Sequence, residues 1–282
     1  MTRKEFAYFF LRNKKVIFAM CVLGFLTFLA VVGPYISPYK DPLAFVGLGY
    51  QPPSKQHWLG TNTFGQDIFT QLVHGLRTSL FVGLVGGSLA TVIGLLIGFV
   101  AGYRGGWIDE LLMMFTNILM VIPTLALLII IAAYLPYRGI FIQSLIIGFT
   151  AWPWTARAVR AQTLSLKTRE FVDLARITAR RPLKIIFGEI MPNMMSYVFM
   201  VFILQFGGAI LAATGLDFIG LGPTRGMSLG IMLQQATLWN AIQLGMWWWA
   251  ITPGAVITLI VATLYIMNTG LDEIFNPKLR EM

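Results

Sequence analysis

Length, composition and charge place this chain in a membrane. Its 282 residues are 57% hydrophobic and only 12% charged, whereas soluble domains carry roughly 25% charged residues. A soluble enzyme, a disordered protein and a secreted disulfide scaffold are excluded, the last because Cys21 is the only cysteine and a disulfide needs two. The net charge is +9, and the distribution of the basic residues along the chain is more informative than their sum.

Runs without charged residues predict the membrane spans. A span needs about 20 predominantly apolar residues, and a charge at its centre costs about 2.5 to 3.5 kcal/mol on insertion scales. Six charge-free runs qualify: residues 16–39, 78–103, 111–137, 139–156, 190–216 and 226–271. The first half of the last run contains four amide side chains, so we expect a single span there, within 247–267, preceded by an outer re-entrant or interfacial segment. Its three consecutive tryptophans, residues 247–249, predict an interfacial aromatic belt, with stacking against a sugar as the alternative.

The basic residues predict the orientation. When the runs are taken as alternating spans, 16 of the 21 Lys and Arg residues fall in the N-terminal tail, the loops 104–110 and 157–189, and the C-terminal tail. Cytoplasmic loops carry an excess of basic residues, so we predict an all-α integral membrane protein with six transmembrane helices and both termini in the cytoplasm. Residues 1–15 would be a cytoplasmic tail, and residues 16–36 the first span. The first apolar run is longer than that of a signal peptide, which indicates a retained signal-anchor helix.

Residues 37–77 form the longest loop on the predicted outer side. Four prolines deny its first half a regular structure, and the stretch 57–67 is rich in turn-forming residues with two aromatic side chains. We interpret the loop as a folded extracytoplasmic cap, with a flexible loop as the alternative. Asp67 and Asp217 are candidate outer-face residues. Asp217 would meet a substrate ammonium group or face water.

Five glycines align on the second predicted span. Gly83, Gly87, Gly94, Gly98 and Gly102 follow helical spacing and form a stripe that lets another helix approach closely. We expect the stripe to pack within the chain. Contact with a second membrane subunit is the alternative.

The longest cytoplasmic loop, residues 157–192, contains a predicted amphipathic helix that Pro182 is expected to end. Its two faces differ in polarity: Phe171, Leu174, Ala175 and Thr178 against Asp173, Arg176 and Arg180. This helix could lie on lipid headgroups or dock into a groove of a soluble partner. The apolar face is small for insertion into lipid, so we favour the protein groove.

Motifs for energy coupling and catalysis do not occur in the sequence. There is no G-x-x-x-x-G-K-[ST] phosphate loop, and the predicted spans carry no Asp, Glu, Lys or Arg of the kind that proton-coupled carriers use. Neither H-E-x-x-H nor G-x-S-x-G is present, and His57 and His74 have no cysteine or paired carboxylate for a metal site. We therefore predict that the chain is not an enzyme and binds no cofactor, metal or nucleic acid. A passive channel or scaffold is the rival interpretation, and a membrane enzyme the weakest.

Motifs along nearly the whole chain resemble one family. Asp173-Leu174-Ala175, with Ala179 and residues 190–193, resembles the coupling signature of bacterial ABC importer permeases. Other stretches resemble the second permease of oligopeptide, dipeptide and nickel importers: residues 57–61, 65–67, 75–80, 102–109, 152–166, 218–222, 253–254 and 276–280. Departures occur at Asp173, which replaces a glutamate, and at Leu174, which replaces an alanine.

The resemblance implies a type I ABC importer permease fold with a permease core, residues 78–282, that includes five spans and a short cytoplasmic C-terminal tail. It also implies a coupling helix at about 170–181 that contacts one ATPase. The contact residues would be Glu170, Phe171, Asp173, Leu174, Ala175, Arg176 and Ala179. On this basis Asp173→Lys or Ala175→Arg would leave the protein in the membrane but uncouple transport.

The partners implied by the resemblance are a homologous permease in a heterodimer, two ATPase subunits that hold ATP and Mg, a solute-binding protein outside the cell, and the lipid bilayer. The location would be the bacterial or archaeal cytoplasmic membrane. Peptides are the expected substrates, with oligosaccharides or nickel as alternatives. Asn117 and Gln205 are candidate lining groups of the translocation path, with hydrogen bonding between helices as the alternative.

Further departures affect four positions of these motifs. Ala179 stands where relatives have glycine, so we expect the helix to continue where theirs turns. Met114 and Asn117 stand where relatives often carry an arginine and an aspartate three residues apart. Gln66 replaces an arginine.

Overall fold

The computed structural model describes residue 10 and residues 12–275. Most of the predicted N-terminal tail, the C-terminal tail and the stretch 276–280 lie outside the described residues. Within the described range the backbone forms eleven α-helices and one π-helix: α1 Lys14–Ile36, α2 Ile68–Arg104, α3 Gly106–Val121, α4 Thr124–Tyr134, α5 Ile140–Leu166, α6 Glu170–Ile177, α7 Pro182–Ile185, the π-helix Ile186–Ile190, α8 Met191–Asn193, α9 Met195–Phe218, α10 Leu229–Leu238 and α11 Trp247–Phe275.

Four of the described helices, α1, α2, α9 and α11, are long and apolar enough to cross a membrane, and the bent pair α3 and α4 makes a fifth if it is one span. Helix α5, at 27 residues, is long enough but more polar, because it carries side chains such as Gln143, Arg157 and Arg160. The all-helical fold class is thereby confirmed. Six spans and the orientation of the termini stay predictions.

The run 111–137, predicted as one span, is broken in the structure. Helices α3 and α4 meet at an angle of 83°, and the break falls at Ile122 and Pro123. Proline clashes with a helical conformation in the residue before it, and Ile122 accordingly adopts an extended conformation with ψ of 123°. The sequence interpretation counted charges and overlooked this proline.

Helix α2 begins ten residues earlier than the predicted span at residue 78. The Asp67 carboxylate accepts a hydrogen bond of 2.8 Å from the Thr70 backbone N–H, which satisfies one of the free donors at the helix start. The outer segment therefore ends at Asp67 and not at residue 77. The charge criterion missed this start because it excluded the polar first turns of the helix, which contain His74 and Arg77.

The glycine stripe of α2 packs against helices of the same chain. A Cβ at Gly87 would lie 2.7 Å from Phe206 Cα on α9, and one at Gly94 would lie 2.5 Å from Thr155 Cβ on α5. Both distances are too short for any residue larger than glycine. The prediction of internal packing is confirmed, and α2 is the helix around which α5 and α9 assemble.

The outer segment has a fixed internal structure. The Asp67 carboxylate pairs with His57 Nδ1 at 3.0 Å, both side chains being buried, and the Tyr39 ring stacks on His57 with ring centroids 5.7 Å apart. The Gln66 side chain donates to the Leu43 carbonyl at 2.9 Å. A flexible loop is inconsistent with these contacts, whereas a folded cap agrees with them.

The last charge-free run contains one long helix, α11, preceded by the short helix α10, as expected. The three tryptophans at its start do not form an interfacial belt. Trp249 is fully buried and Trp248 nearly so, while Trp247 is exposed. The Trp248 indole N–H donates to the Thr61 carbonyl at 3.3 Å, so this tryptophan attaches the outer segment to α11.

Candidate functional site

Helix α6 is anchored to the rest of the chain by one apolar face. Val172 is fully buried and Ala175 is 5% exposed. Both belong to a hydrophobic cluster with Phe99 of α2, Val159 of α5 and Val198 of α9. The same cluster contains Ile185, Ile186 and Ile190 of α7 and the π-helix, which are the elements that α6 contacts most. Burial of apolar area stabilises such contacts without directional constraints, so α6 packs on these short helices and shares one apolar cluster with the long ones.

The opposite side of α6 presents apolar side chains to the exterior. Leu174 is 64% and Ile177 81% exposed, and residues three apart are neighbours on a helix surface. We call Leu174 and Ile177 the docking pair. Beside them Arg176 donates to the Asp173 carboxylate at 2.8 Å, and its guanidinium carbon lies 5.7 Å from the centre of the Tyr103 ring.

The residues predicted to share the apolar face of α6 differ in burial. Leu174 is exposed as a docking residue should be, but Ala175 is buried within the chain and Phe171 packs partly against the same cluster. In this chain Ala175 therefore belongs to the anchored face of α6, and its direct contact with an ATPase stays a prediction. Val172, which the sequence interpretation missed, completes the buried face, and its position three residues before Ala175 was the available signal.

Helix α6 ends at Ile177 and does not continue to residue 181. Ala179 has a left-handed φ of 52°, the Arg180 N–H donates to the Ala175 carbonyl, and the Ala179 N–H donates to the Arg176 carbonyl. These two bonds define a Schellman turn, which is usually completed by glycine. The expected helix continuation at Ala179 is wrong, and Pro182 starts α7 instead of ending α6.

Two of the stretches that resemble the family are joined to each other by polar contacts. Arg160 of α5 makes two hydrogen bonds to the Asp109 carboxylate of α3, at 2.5 and 2.7 Å. Lys167 donates to the Gly102 carbonyl at the end of α2, at 2.8 Å. The stretches 102–109 and 152–166 thus meet beside the docking helix.

The two candidate lining groups have different surroundings. The Asn117 carbonyl oxygen accepts a hydrogen bond from Arg157 at 2.6 Å, which agrees with the alternative of hydrogen bonding between helices. The Gln205 side-chain N–H₂ donates to the Ala151 carbonyl at 3.0 Å and to the Thr155 hydroxyl at 2.6 Å. Gln205 also lines a cleft of about 310 Å³ between α5, α9 and α11, so both interpretations apply to it.

The two outer-face candidates, Asp67 and Asp217, are each 2% exposed. Asp67 caps α2 and pairs with His57. The Asp217 carboxylate accepts hydrogen bonds from Gln143 at 2.6 Å and from the Ser228 hydroxyl. Asp217 is therefore not a water-facing residue of this chain, and its contact with a substrate ammonium group stays a prediction. It is the penultimate residue of α9, at the end of the predicted span.

A chain of long apolar helices around a glycine-rich centre, with a short helix presenting an exposed apolar pair, has the architecture of a membrane transport subunit. It belongs to the family described as the binding-protein-dependent transport system inner membrane component, whose family model matches residues 94–281. Residues 3–53 match the N-terminal TM domain of oligopeptide transport permease C. The resemblance to importer permeases is confirmed.

Individual relatives cover nearly the whole chain. It is 33% identical over 277 residues to the oligopeptide transport system permease protein OppC of Mycobacterium tuberculosis, which is 97% of this chain and 94% of the relative. It is 33% identical over 271 residues to the dipeptide transport system permease protein DppC of Bacillus subtilis, covering 95% and 83% of the two chains. A chain of the MetNI methionine ABC transporter in an inward-facing conformation shares the fold, with a TM-score of 0.57, 18% identity, and coverage of 72% of this chain and 96% of that one.

Proposed function

We propose that this chain is one permease subunit of an ATP-driven importer that moves di- or oligopeptides across a bacterial or archaeal cytoplasmic membrane. The names of the relatives, an oligopeptide and a dipeptide permease, support the substrate class. In this proposal α5 is one span and the bent pair α3 and α4 is another. With α1, α2, α9 and α11 they make six transmembrane spans. Both termini are cytoplasmic, as the concentration of basic residues in alternate loops favours.

The complete transporter would contain a homologous permease, two ATPase subunits with ATP and Mg, and a solute-binding protein. The observation that carries the coupling role is the division of α6 into a buried and an exposed face. The docking pair would insert into a groove of one ATPase, while Val172 and Ala175 lie in a hydrophobic cluster that α6 shares with α7, the π-helix, α2, α5 and α9. Movement of the ATPase on binding ATP would then displace the long helices and open the path alternately to each side.

Exchange of Ile177 for a charged residue tests this docking. Ile177→Glu places a carboxylate in the proposed contact. We expect Ile177 to be a hot spot of this contact, and removal of a hot-spot residue costs about 2 kcal/mol or more, so ATPase subunits should co-purify at least about tenfold less. Ile242→Glu is the matched control, because Ile242 is 76% exposed and lies between α10 and α11, on the predicted outer side. We expect it to leave ATPase binding unchanged.

Transport is measured with the same two variants. The complex in proteoliposomes should take up a labelled tripeptide only when ATP is present, and Ile177→Glu should abolish this uptake while its protein remains in the membrane. Full ATPase binding by Ile177→Glu would refute the docking role of α6. Peptide uptake by the wild type without ATP would instead favour a passive channel.

A further inference from the structure

The cleft beside Gln205 lies at the middle of three long helices. Gln205 is near the centre of α9, Ala151 near the centre of α5 and Val261 near the centre of α11, and all three line the cleft. Transporter substrate sites are typically found near the membrane midplane, and a polar side chain at that depth is a functional-site hypothesis by default. The position of the cleft therefore indicates that its residues contact a substrate that crosses the membrane beside these helices.

The lining of the cleft is uncharged. Trp154 and Tyr265 supply aromatic surface, and Leu211 and Leu264 supply aliphatic surface. Burying an unpaired charge among such groups is costly. The Gln205 side-chain carbonyl oxygen accepts no hydrogen bond from the residues that the structure describes, while its N–H₂ group is fully used. Gln205 thus adds a free acceptor to a lining that is mostly apolar.

Gly208 lines this cleft. A Cβ at Gly208 would meet nothing within 4 Å, so the glycine is not required for close packing of helices, unlike Gly87 on α2. Glycine inside a helix costs about 0.5 to 1 kcal/mol relative to alanine. Any larger side chain at position 208 would occupy cleft volume.

We propose that the cleft is a subsite for one uncharged side chain of the peptide in transit, and that Gly208 sets the largest side chain it accepts. The proposal rests on the peptide-import function proposed above. A volume of about 310 Å³ is at the lower end of the range for ligand pockets, roughly 300 to 1,000 Å³, and it is sufficient for one side chain. The Gln205 carbonyl oxygen would accept a peptide N–H.

The test compares Gly208→Leu with Gly24→Leu in the assembled complex. Gly24, on α1, also has nothing within 4 Å of an added Cβ and lies outside the cleft, so it controls for a new leucine in an apolar helix. ATP-dependent uptake is measured in proteoliposomes for the tripeptides Ala-Ala-Ala, Ala-Trp-Ala and Ala-Lys-Ala. The same binding protein is used with every variant, so its own selectivity cancels in the ratios.

We expect Gly208→Leu to lower the uptake of Ala-Trp-Ala at least about tenfold relative to Ala-Ala-Ala. Gly208→Ala should give a smaller loss in the same direction, and Gly24→Leu should not change the ratio. In Gly208→Leu the uptake of Ala-Lys-Ala should fall less than the uptake of Ala-Trp-Ala, because a charged side chain does not enter the subsite.

Two results would overturn the subsite alone. One is an equal loss, or no loss, for all three peptides in Gly208→Leu. The other is loss of the second permease from the purified Gly208→Leu complex, which would make the cleft a contact between subunits. If the wild-type complex takes up none of the peptides, the proposed function fails and the subsite with it.

Discussion

The two long connecting segments of this chain are held in place by different forces. Residues 37–67 bury six polar side chains: Ser37, His57, Thr61, Asn62, Gln66 and Asp67. Residues 167–194, which the structure also describes in full, bury only apolar ones: Val172, Ala175, Ile185, Ile186, Ile190 and Met194. The first segment is fixed by hydrogen bonds, and the second by apolar packing.

This difference suits different mechanical tasks. Hydrogen bonds among buried polar groups are directional and costly to leave unmade, so they hold the outer segment in one arrangement. Apolar contacts are non-directional, so a helix attached by them can shift without leaving a polar group unpaired. A rigid outer surface suits binding of a partner, and a movable α6 suits transmission of movement.

Removal of one aspartate from each segment should show the largest contrast. Asp67→Ala deletes a helix cap worth about 0.5 to 2 kcal/mol and leaves His57 buried without its partner, a further loss of about 1 to 3 kcal/mol. We expect the free energy of unfolding to fall by about 3 kcal/mol. Asp173→Ala removes only an exposed pair with Arg176 and should cost less than about 1 kcal/mol.

Both variants are compared by thermal unfolding of the purified protein in detergent, followed by tryptophan fluorescence. The signal is suitable because Trp248 is bonded to the outer segment at Thr61. Equal melting temperatures for the two variants would contradict the distinction between a hydrogen-bonded and an apolar segment.

Neighbouring positions on α6 should separate anchoring from docking. Ala175→Arg forces a long charged side chain into the cluster around Phe99 and Val159, and overpacking of this kind costs about 1 to 3 kcal/mol. We therefore expect less folded protein in the membrane, in contrast to the uncoupling that the sequence alone suggested. Leu174→Arg changes an exposed position and should leave folding intact while reducing ATPase binding. Normal membrane levels of Ala175→Arg would show that α6 is not anchored through Ala175.

Features encoded by local spacing were predictable from the sequence. The five glycines of α2 indicated a closely packed helix, and the alternation of apolar and charged residues after residue 170 indicated a short amphipathic helix. The inward role of Asp217 was not predictable, because its partners Gln143 and Ser228 are 74 and 11 residues away. The cleft was not predictable either, since it forms only where α5, α9 and α11 meet.

Which apolar side of α6 is buried was also not predictable from the sequence, for a related reason. The helix has eight residues with apolar side chains on both sides, and the choice between Leu174 and Val172 as the buried one depends on neighbours in distant helices. Charge counting also failed at helix ends: α2 begins before His74 and Arg77, and α5 continues past Arg157. Polar residues near a helix end do not terminate it, whereas a cap such as Asp67 does.

A glycine substitution in the turn that ends α6 should cause the smallest change in stability. The sign of this change shows whether residue 179 is in a left-handed turn or in a helix. Ala179 holds a left-handed conformation that costs a residue with a Cβ about 1 to 2 kcal/mol, and glycine removes this cost but loses about 0.5 to 1 kcal/mol more entropy on folding. Ala179→Gly should therefore stabilise the turn by roughly 0.5 kcal/mol, whereas Ala161→Gly, at an exposed position inside α5, should destabilise by about 1 kcal/mol. Hydrogen–deuterium exchange measures both: amides around the turn should exchange about twofold more slowly in Ala179→Gly, and those around residue 161 faster in Ala161→Gly. Faster exchange in both variants would mean that α6 continues through Ala179 as a helix.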